Sequence, residues 1–186
     1  MRKVTLDELK QLALNSKDSL WQAARSLDRD IKLYLHWSAG HYGQFFDDYH
    51  INIDQDGSIY ISTDDLSTVL AHTWHRNTGG VGIALACCAS ATTNDLGPEP
   101  PTATQIEVMA QVVSVLTDAL DLSINIQSVM THGEAGDNMD GADLTEKYGM
   151  NSTAERWDAA ILHNGDTWGS GGDILRGKAI WYQNNP

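Results

Sequence analysis

Two histidines stand at the ends of apolar, strand-like runs that are far apart in the chain. His36 closes the run that begins at Ile31, and His132 follows the run from Ile124 to Met130. The ends of such strands can converge at one edge of an open sheet, where α/β proteins commonly build their sites. A hydrolytic zinc centre takes three protein ligands from His, Asp, Glu or Cys and keeps one position open for water. Two strand-end histidines and one carboxylate satisfy that requirement. Taken alone the pair carries little weight, because a histidine is more often a hydrogen-bonded structural residue than a ligand. A second motif, His72 and His75 in H-x-x-H spacing, has metal-like geometry only on a helix, and Trp74 and Asn77-Thr78-Gly79-Gly80 around it favour substrate contact or structure.

The elements that must position these residues can be read from pattern. Thr5-Leu6-Asp7-Glu8 has the form of a capping box and opens a helical stretch to about Leu27, with a break expected near Asn15 and Ser16. Ile31, Leu33 and Leu35 alternate with Lys32, Tyr34 and His36, the period of a strand. Tyr49 to Asp54 and Ser58 to Thr63 form a hairpin through Gln55-Asp56-Gly57, since glycine accepts positive φ. Val81 to Cys88 is apolar without alternation, as in a strand buried on both faces. Pro98, Pro100 and Pro101 mark a loop. A second capping box, Thr104 with Glu107, then begins an amphipathic helix through Ile106, Met109, Ala110, Val113, Leu116 and Leu120. Strands alternating with helices predict an α/β fold: one domain over residues 1–186 with a central mixed sheet flanked by helices. Within it we expect an N-terminal helical segment (1–30), a core carrying the site (31–158) and a C-terminal extension (159–186).

Composition narrows the function. With 12 Lys and Arg against 25 Asp and Glu, the net charge is −13, which repels a phosphate backbone and an anionic lipid surface alike. Neither nucleic acid nor membrane is an expected partner. Hydrophobic residues make up 41% and charged residues 20%, the balance of a globular chain. No run reaches the ~18–20 apolar residues of a membrane span, and the N-terminus lacks the apolar stretch of a secretory signal. The two cysteines, Cys87 and Cys88, are adjacent. Neighbouring cysteines rarely form an unstrained disulfide, so they read as small buried strand residues made in a reducing compartment.

The stretches LYLHWSAG, DYHINIDQDGSIY, HTWHRNTGGVGIALA, the helix after PPTATQ, VMTHGE and RWD occur in that order. Together they resemble the zinc-dependent N-acetylmuramoyl-L-alanine amidases, the type 2 amidases that include phage amidases called lysozymes and the peptidoglycan recognition proteins. The similarity runs from about Ile31 to Asp158. It implies an amidase-like fold, a Zn2+ cofactor and a peptidoglycan or muropeptide substrate cut between N-acetylmuramic acid and L-alanine. By that resemblance His36 and His132 are the first two zinc ligands and Asp158 the third. The family normally places its third ligand closer to the second histidine, so Asp137, Asp140, Asp143 and His163 compete with Asp158.

The resemblance also implies supporting roles. Tyr49, before His50 in the central hairpin, matches a tyrosine that donates to an oxyanion or orients water. Ala84 stands where some members carry a glutamate, which closes that route. Arg156 matches a basic residue two positions before the third ligand; arginine keeps its charge and acts electrostatically. Glu134 is the carboxylate expected as general base. The His72 segment lies beside the substrate groove in the family, and His72, His75, Asn77 and Trp37 are expected substrate contacts. Trp157, Trp168 and Trp181 can stack on sugars, though core packing is the default for each. Residues 131–173 are acid-rich but out of register for a calcium loop, and read as a solvated flap. The expected protein is a monomeric cell-wall lytic amidase that leaves the cytoplasm at phage-type lysis or processes wall fragments. The rival is a non-catalytic peptidoglycan-binding module on the same fold.

Overall fold

The computed structural model describes residues 1–92, 94–142 and 158–186. Six strands form one mixed sheet: β1 (Arg2–Val4), β2 (Lys32–Trp37), β3 (Ile51–Ile53), β4 (Ile59–Ile61), β5 (Gly80–Leu85) and β6 (Val129–Thr131). Their spatial order is β1-β4-β3-β5-β2-β6. Strands β3, β5, β2 and β6 run parallel, while β4 and β1 add antiparallel. Every residue of β5 is buried, as expected of a strand with parallel neighbours on both sides and cover on both faces. The hairpin turns where expected, with Gly57 at φ +84° and the Gly57 N–H donating to the Asp54 carbonyl at 2.9 Å.

Helix α1 (Leu6–Arg25) starts from the Thr5–Glu8 capping box, in which both reciprocal bonds form. It runs without the break expected near Asn15 and Ser16. Ser16 is buried instead, and its Oγ accepts the Leu66 N–H at 3.0 Å; that bond to a distant loop removes the local competition that makes serine a helix breaker. Helix α2 (Ala103–Leu120) begins two residues earlier than expected. Its N-cap is Thr102, boxed with Gln105, whose amide also donates to the carbonyls of Ile53 and Ala86 and so ties the helix start to the sheet. Glu107 is spent elsewhere, on Lys178 and on the Tyr182 hydroxyl at 2.8 Å. The apolar stripe of α2 is buried, and the helix packs against α1, β3, β5 and α4 (Ser170–Asn184).

Two further expectations are corrected. The strand read over Ile124 to Met130 is shorter: Asn125 accepts the N–H of both Ser128 and Val129, making a turn that delays β6 to Val129. His132 therefore opens a five-residue helix, α3 (His132–Gly136), directly after the strand. Cys87 and Cys88 lie past the end of β5 as free, fully buried thiols. Their Sγ atoms are 3.6 Å apart, and Cys88 takes φ +69°, a turn conformation that no strand residue adopts.

Candidate active site

Register brings the two histidines together. β2 and β6 pair in parallel with Leu35 opposite Thr131, so the next residues, His36 still within β2 and His132 just past β6, lie side by side. Their ring centroids are 4.7 Å apart. Thr131 caps α3, its Oγ1 accepting the Glu134 N–H at 3.1 Å, and this turns the chain from strand to helix at His132. Asp158 arrives from far along the sequence and is tied to the same corner, for its carbonyl accepts the Gly133 N–H at 3.3 Å.

The three side chains meet through specific atoms. His36 Nδ1 lies 2.7 Å from Asp158 Oδ2, and His132 Nδ1 lies 2.9 Å from Asp158 Oδ1. His36 is wholly buried, whereas His132 and Asp158 are 14% and 13% exposed, so the cluster has one wet side. The ligand atoms all fall within 4.8 Å of one another, and this is the one such His/Cys/Asp/Glu group among the described residues. Burial lowers the His36 pKa, an effect the Asp158 charge opposes without cancelling. Burial alone would raise the Asp158 carboxyl, but the two histidines outweigh it and hold the group below its ordinary range. A neutral imidazole and an ionised carboxylate are the forms that bind metal. Two imidazole nitrogens and one carboxylate oxygen, with an open side, match the donor set of a catalytic zinc site; the residues fit the ion.

Behind the cluster the polar contacts continue. His36 Nε2 is 3.3 Å from Thr73 Oγ1, which is 2.9 Å from His72 Nδ1. Such outer contacts fix the tautomer of a ligating histidine. Asn77 Oδ1 accepts the backbone N–H groups of His72 and Thr73 at 3.1 and 2.7 Å and holds that loop. Tyr49 is half-buried with its ring 5.0 Å from His36; burial, reinforced by Asp158, raises its pKa, so the phenol keeps its proton. His50 is a frame residue: Nε2 donates to the Thr68 carbonyl at 2.8 Å and Nδ1 accepts the Gly82 N–H at 3.0 Å.

Several expected residues stand elsewhere. Glu134 is buried, and both of its oxygens are engaged: Oε2 accepts the Thr131 N–H at 2.8 Å, and the carboxylate pairs with Arg176 at 2.7 and 2.8 Å. Asp140 is locked to Arg76 and Lys32, Asp137 is the exposed C-cap of α3, and exposed His163 pairs with Asp166 at 3.2 Å. His72 and the core residue Trp37 are buried (6% and 4% exposed), and Asn77 is half-buried with its Oδ1 engaged by the loop backbone. His75 is exposed and stacks on Trp74, with ring centroids 5.1 Å apart. Trp168 and Trp181 are exposed instead of packed. Arg156, Asp143 and Trp157 lie outside the described residues. Sequence reasoning missed Thr73 and Arg176. Nothing marks Thr73 except its place beside His72, while Arg176 three residues after Asp173 looks like an ordinary surface pair.

Two parallel strands bring His36 and His132 to one end of a mixed sheet, and a turn brings Asp158 to them, an arrangement of the kind hydrolases build at such ends. The match to a family is direct: residues 15–166 fit the N-acetylmuramoyl-L-alanine amidases, and the chain belongs to that family of peptidoglycan-cleaving enzymes. No curated protein matches it. Two solved structures from Clostridium intestinale URNW are similar: the endolysin N-acetylmuramoyl-L-alanine amidase LysCS (TM-score 0.44, 17% identity, 56% of this chain and 70% of that one) and the amidase LysC (TM-score 0.43, 17% identity, 56% and 71%). No helix among the described residues is long and apolar enough to cross a membrane.

Proposed function

We propose that this amidase is zinc-dependent and that His36, His132 and Asp158 hold the ion. The observation that carries the reading is the pair of Nδ1 atoms converging on the two oxygens of a single carboxylate. When bound, zinc lowers the pKa of a water toward ~7 and polarises the scissile carbonyl. The chain's own residues do the rest. His36, kept neutral by burial, and His132 aim their Nδ1 atoms at one point, and Thr73 fixes the tautomer of His36. Tyr49, protonated and beside His36, donates a hydrogen bond to the oxyanion that develops on the lactyl carbonyl. Arg156 adds positive charge to the same oxyanion, as the family pattern implies. Glu134 serves the frame and not proton transfer. Of the four expected substrate contacts, His75 is the one whose exposure suits the task.

A complete ligand set favours the enzyme over a non-catalytic binding module on the same fold. We further propose that the enzyme works as a monomer on peptidoglycan after release at lysis, or on wall fragments. Its charge of −13 leaves recognition to short-range contacts in the groove. The test is metal content and release of stem peptides from peptidoglycan in one sample. About one zinc per chain is expected, with activity lost to a chelator and restored by zinc. A wild-type protein that binds no zinc and releases no peptide overturns the reading.

A further inference from the structure

Helix α4 lies beyond residues 15–166, the span matched to the family, yet its first turns touch both segments that carry the second and third ligands. The N–H groups of Gly169 and Gly171 donate to the Ala160 carbonyl at 3.0 and 3.1 Å, two residues past Asp158. A Cβ on Gly171 would stand 2.0 Å from the Ala159 carbonyl oxygen, and one on Gly172 would stand 2.2 Å from Glu134 Oε1. Only glycine lets the helix backbone approach both segments this closely. Further along the helix, Arg176 grips Glu134 in a two-pronged pair and its Nη1 also donates to the Val129 carbonyl of β6 at 3.0 Å. Glu134 in turn accepts the Thr131 N–H. His132 lies between Thr131 and Glu134, so its exit direction from β6 is set by a loop of contacts that closes through α4.

We propose that α4 is a positioning element of the metal site: Arg176, acting through Glu134, aims His132, Gly172 leaves room for the Glu134 carboxylate, and Gly171 seats the Asp158 turn beside them. The proposal rests on the metal-amidase reading. A planar guanidinium paired at two points fixes direction in a way a single lysine contact does not. The buried pair is a device for geometry, since such pairs contribute little net stability over an apolar packing.

The experiment uses the full chain and compares Arg176→Met, Arg176→Lys and Gly172→Ala with Leu175→Ala, which removes a fully buried side chain from the same helix. Three quantities are read: zinc affinity by chelator competition, kcat and KM on peptidoglycan fragments, and amide exchange at 132–136 in metal-free protein. Arg176→Met is expected to weaken zinc roughly 10- to 100-fold, the range for lost outer contacts, to lower kcat with KM unchanged, and to speed exchange at 132–136. Arg176→Lys restores part of the affinity, and Gly172→Ala repeats the loss by displacing the Glu134 carboxylate. Leu175→Ala lowers the unfolding temperature but leaves zinc affinity at the wild-type level. Should Arg176→Met not fold, the other two variants carry the comparison. Wild-type zinc affinity in the folded variants, or an equal loss in Leu175→Ala, overturns the proposal. If wild type takes up no zinc the amidase reading fails separately, and unchanged exchange in the Arg176 variants is then the result that sinks the role of α4.

Discussion

Strand β2 carries a carboxylate partnership at each end, and the two are opposite in kind. At its start, Lys32 and Arg76 surround Asp140, whose side chain is completely buried. At its far end, His36 and His132 surround Asp158. The loop after β4 serves both, for Arg76 reaches Asp140 while Thr73, three residues earlier, touches His36. Lysine and arginine are permanent cations with no acceptor atom, so the first cluster can only be an ion lock. Imidazoles are neutral near pH 7 and carry a lone pair, so the second can exchange a proton for a metal. Burial would raise Asp140, but its hydrogen bonds to Arg76 and Lys32 hold it well below the ordinary carboxylate range. Similar depression of both aspartates therefore conceals different tasks.

Removing one carboxylate at a time separates those tasks. Asp158→Asn should abolish zinc uptake and cut peptide release about 10³-fold or more, since losing several kcal/mol of Lewis-acid stabilisation costs a decade per 1.36 kcal/mol; the fold should persist. Asp140→Asn should do the reverse. Stranding Arg76 and Lys32 without their anion should cost about 3–5 kcal/mol, a fall on the order of 10 °C in melting temperature, while folded protein binds zinc normally. Calorimetry beside metal analysis on both variants decides it. If Asp140→Asn loses zinc as readily as Asp158→Asn, the two ends of β2 are not separate devices.

Sequence pattern made one end of this comparison legible and hid the other. Period-two alternation, the apolar run at β5 and the Gly57 turn located most of the sheet, and residue type in an ordered set of motifs located His36 and His132. Asp158 was harder to choose because the competing acids differ from it only in their partners. Asp140 finds Arg76 and Lys32, which are distant in sequence, and no local pattern encodes that. Glu134 fits both a base two residues from a ligand and the third position of a capping box starting at Thr131. The second description governs, and Arg176 then completes it from a helix near the chain's end. Local rules also misplaced the start of α2, because Thr102-x-x-Gln105 and Thr104-x-x-Glu107 both satisfy the capping pattern. Only the reach of Gln105 to the sheet separates them.

The pH response sharpens the contrast further. Burial lowers the His50 pKa to about 4, against about 6.5 in an unfolded chain. Below pH 6.5 the unfolded state therefore binds a proton that the folded state refuses, so stability falls as pH drops from about 6.5 to 4, by at most about 3 kcal/mol. Urea midpoints across that range, for wild type and His50→Gln, check the sign and the source. The variant keeps a donor for the Thr68 carbonyl and should lose the His50 share of the slope, the rest belonging to His36 and His72, whose pKa values burial also lowers. A slope unchanged in His50→Gln would assign the acid sensitivity to other histidines.

The smallest expected effect tests how far the metal end extends into the protein. With Nδ1 used for metal, His36 must carry its proton on Nε2, which then donates to Thr73 Oγ1. Without metal, Nδ1 can donate to Asp158 and the Thr73 hydroxyl turns to donate to Nε2. One hydroxyl therefore serves both states because it can be donor or acceptor. Thr73→Val keeps the shape and removes that capacity, so zinc affinity should fall roughly tenfold, the lower end for a lost outer contact. Thr73→Ser should restore it. Equal affinity in all three proteins would confine the site to its three ligands, and the loop shared with Arg76 would then belong wholly to the ion lock.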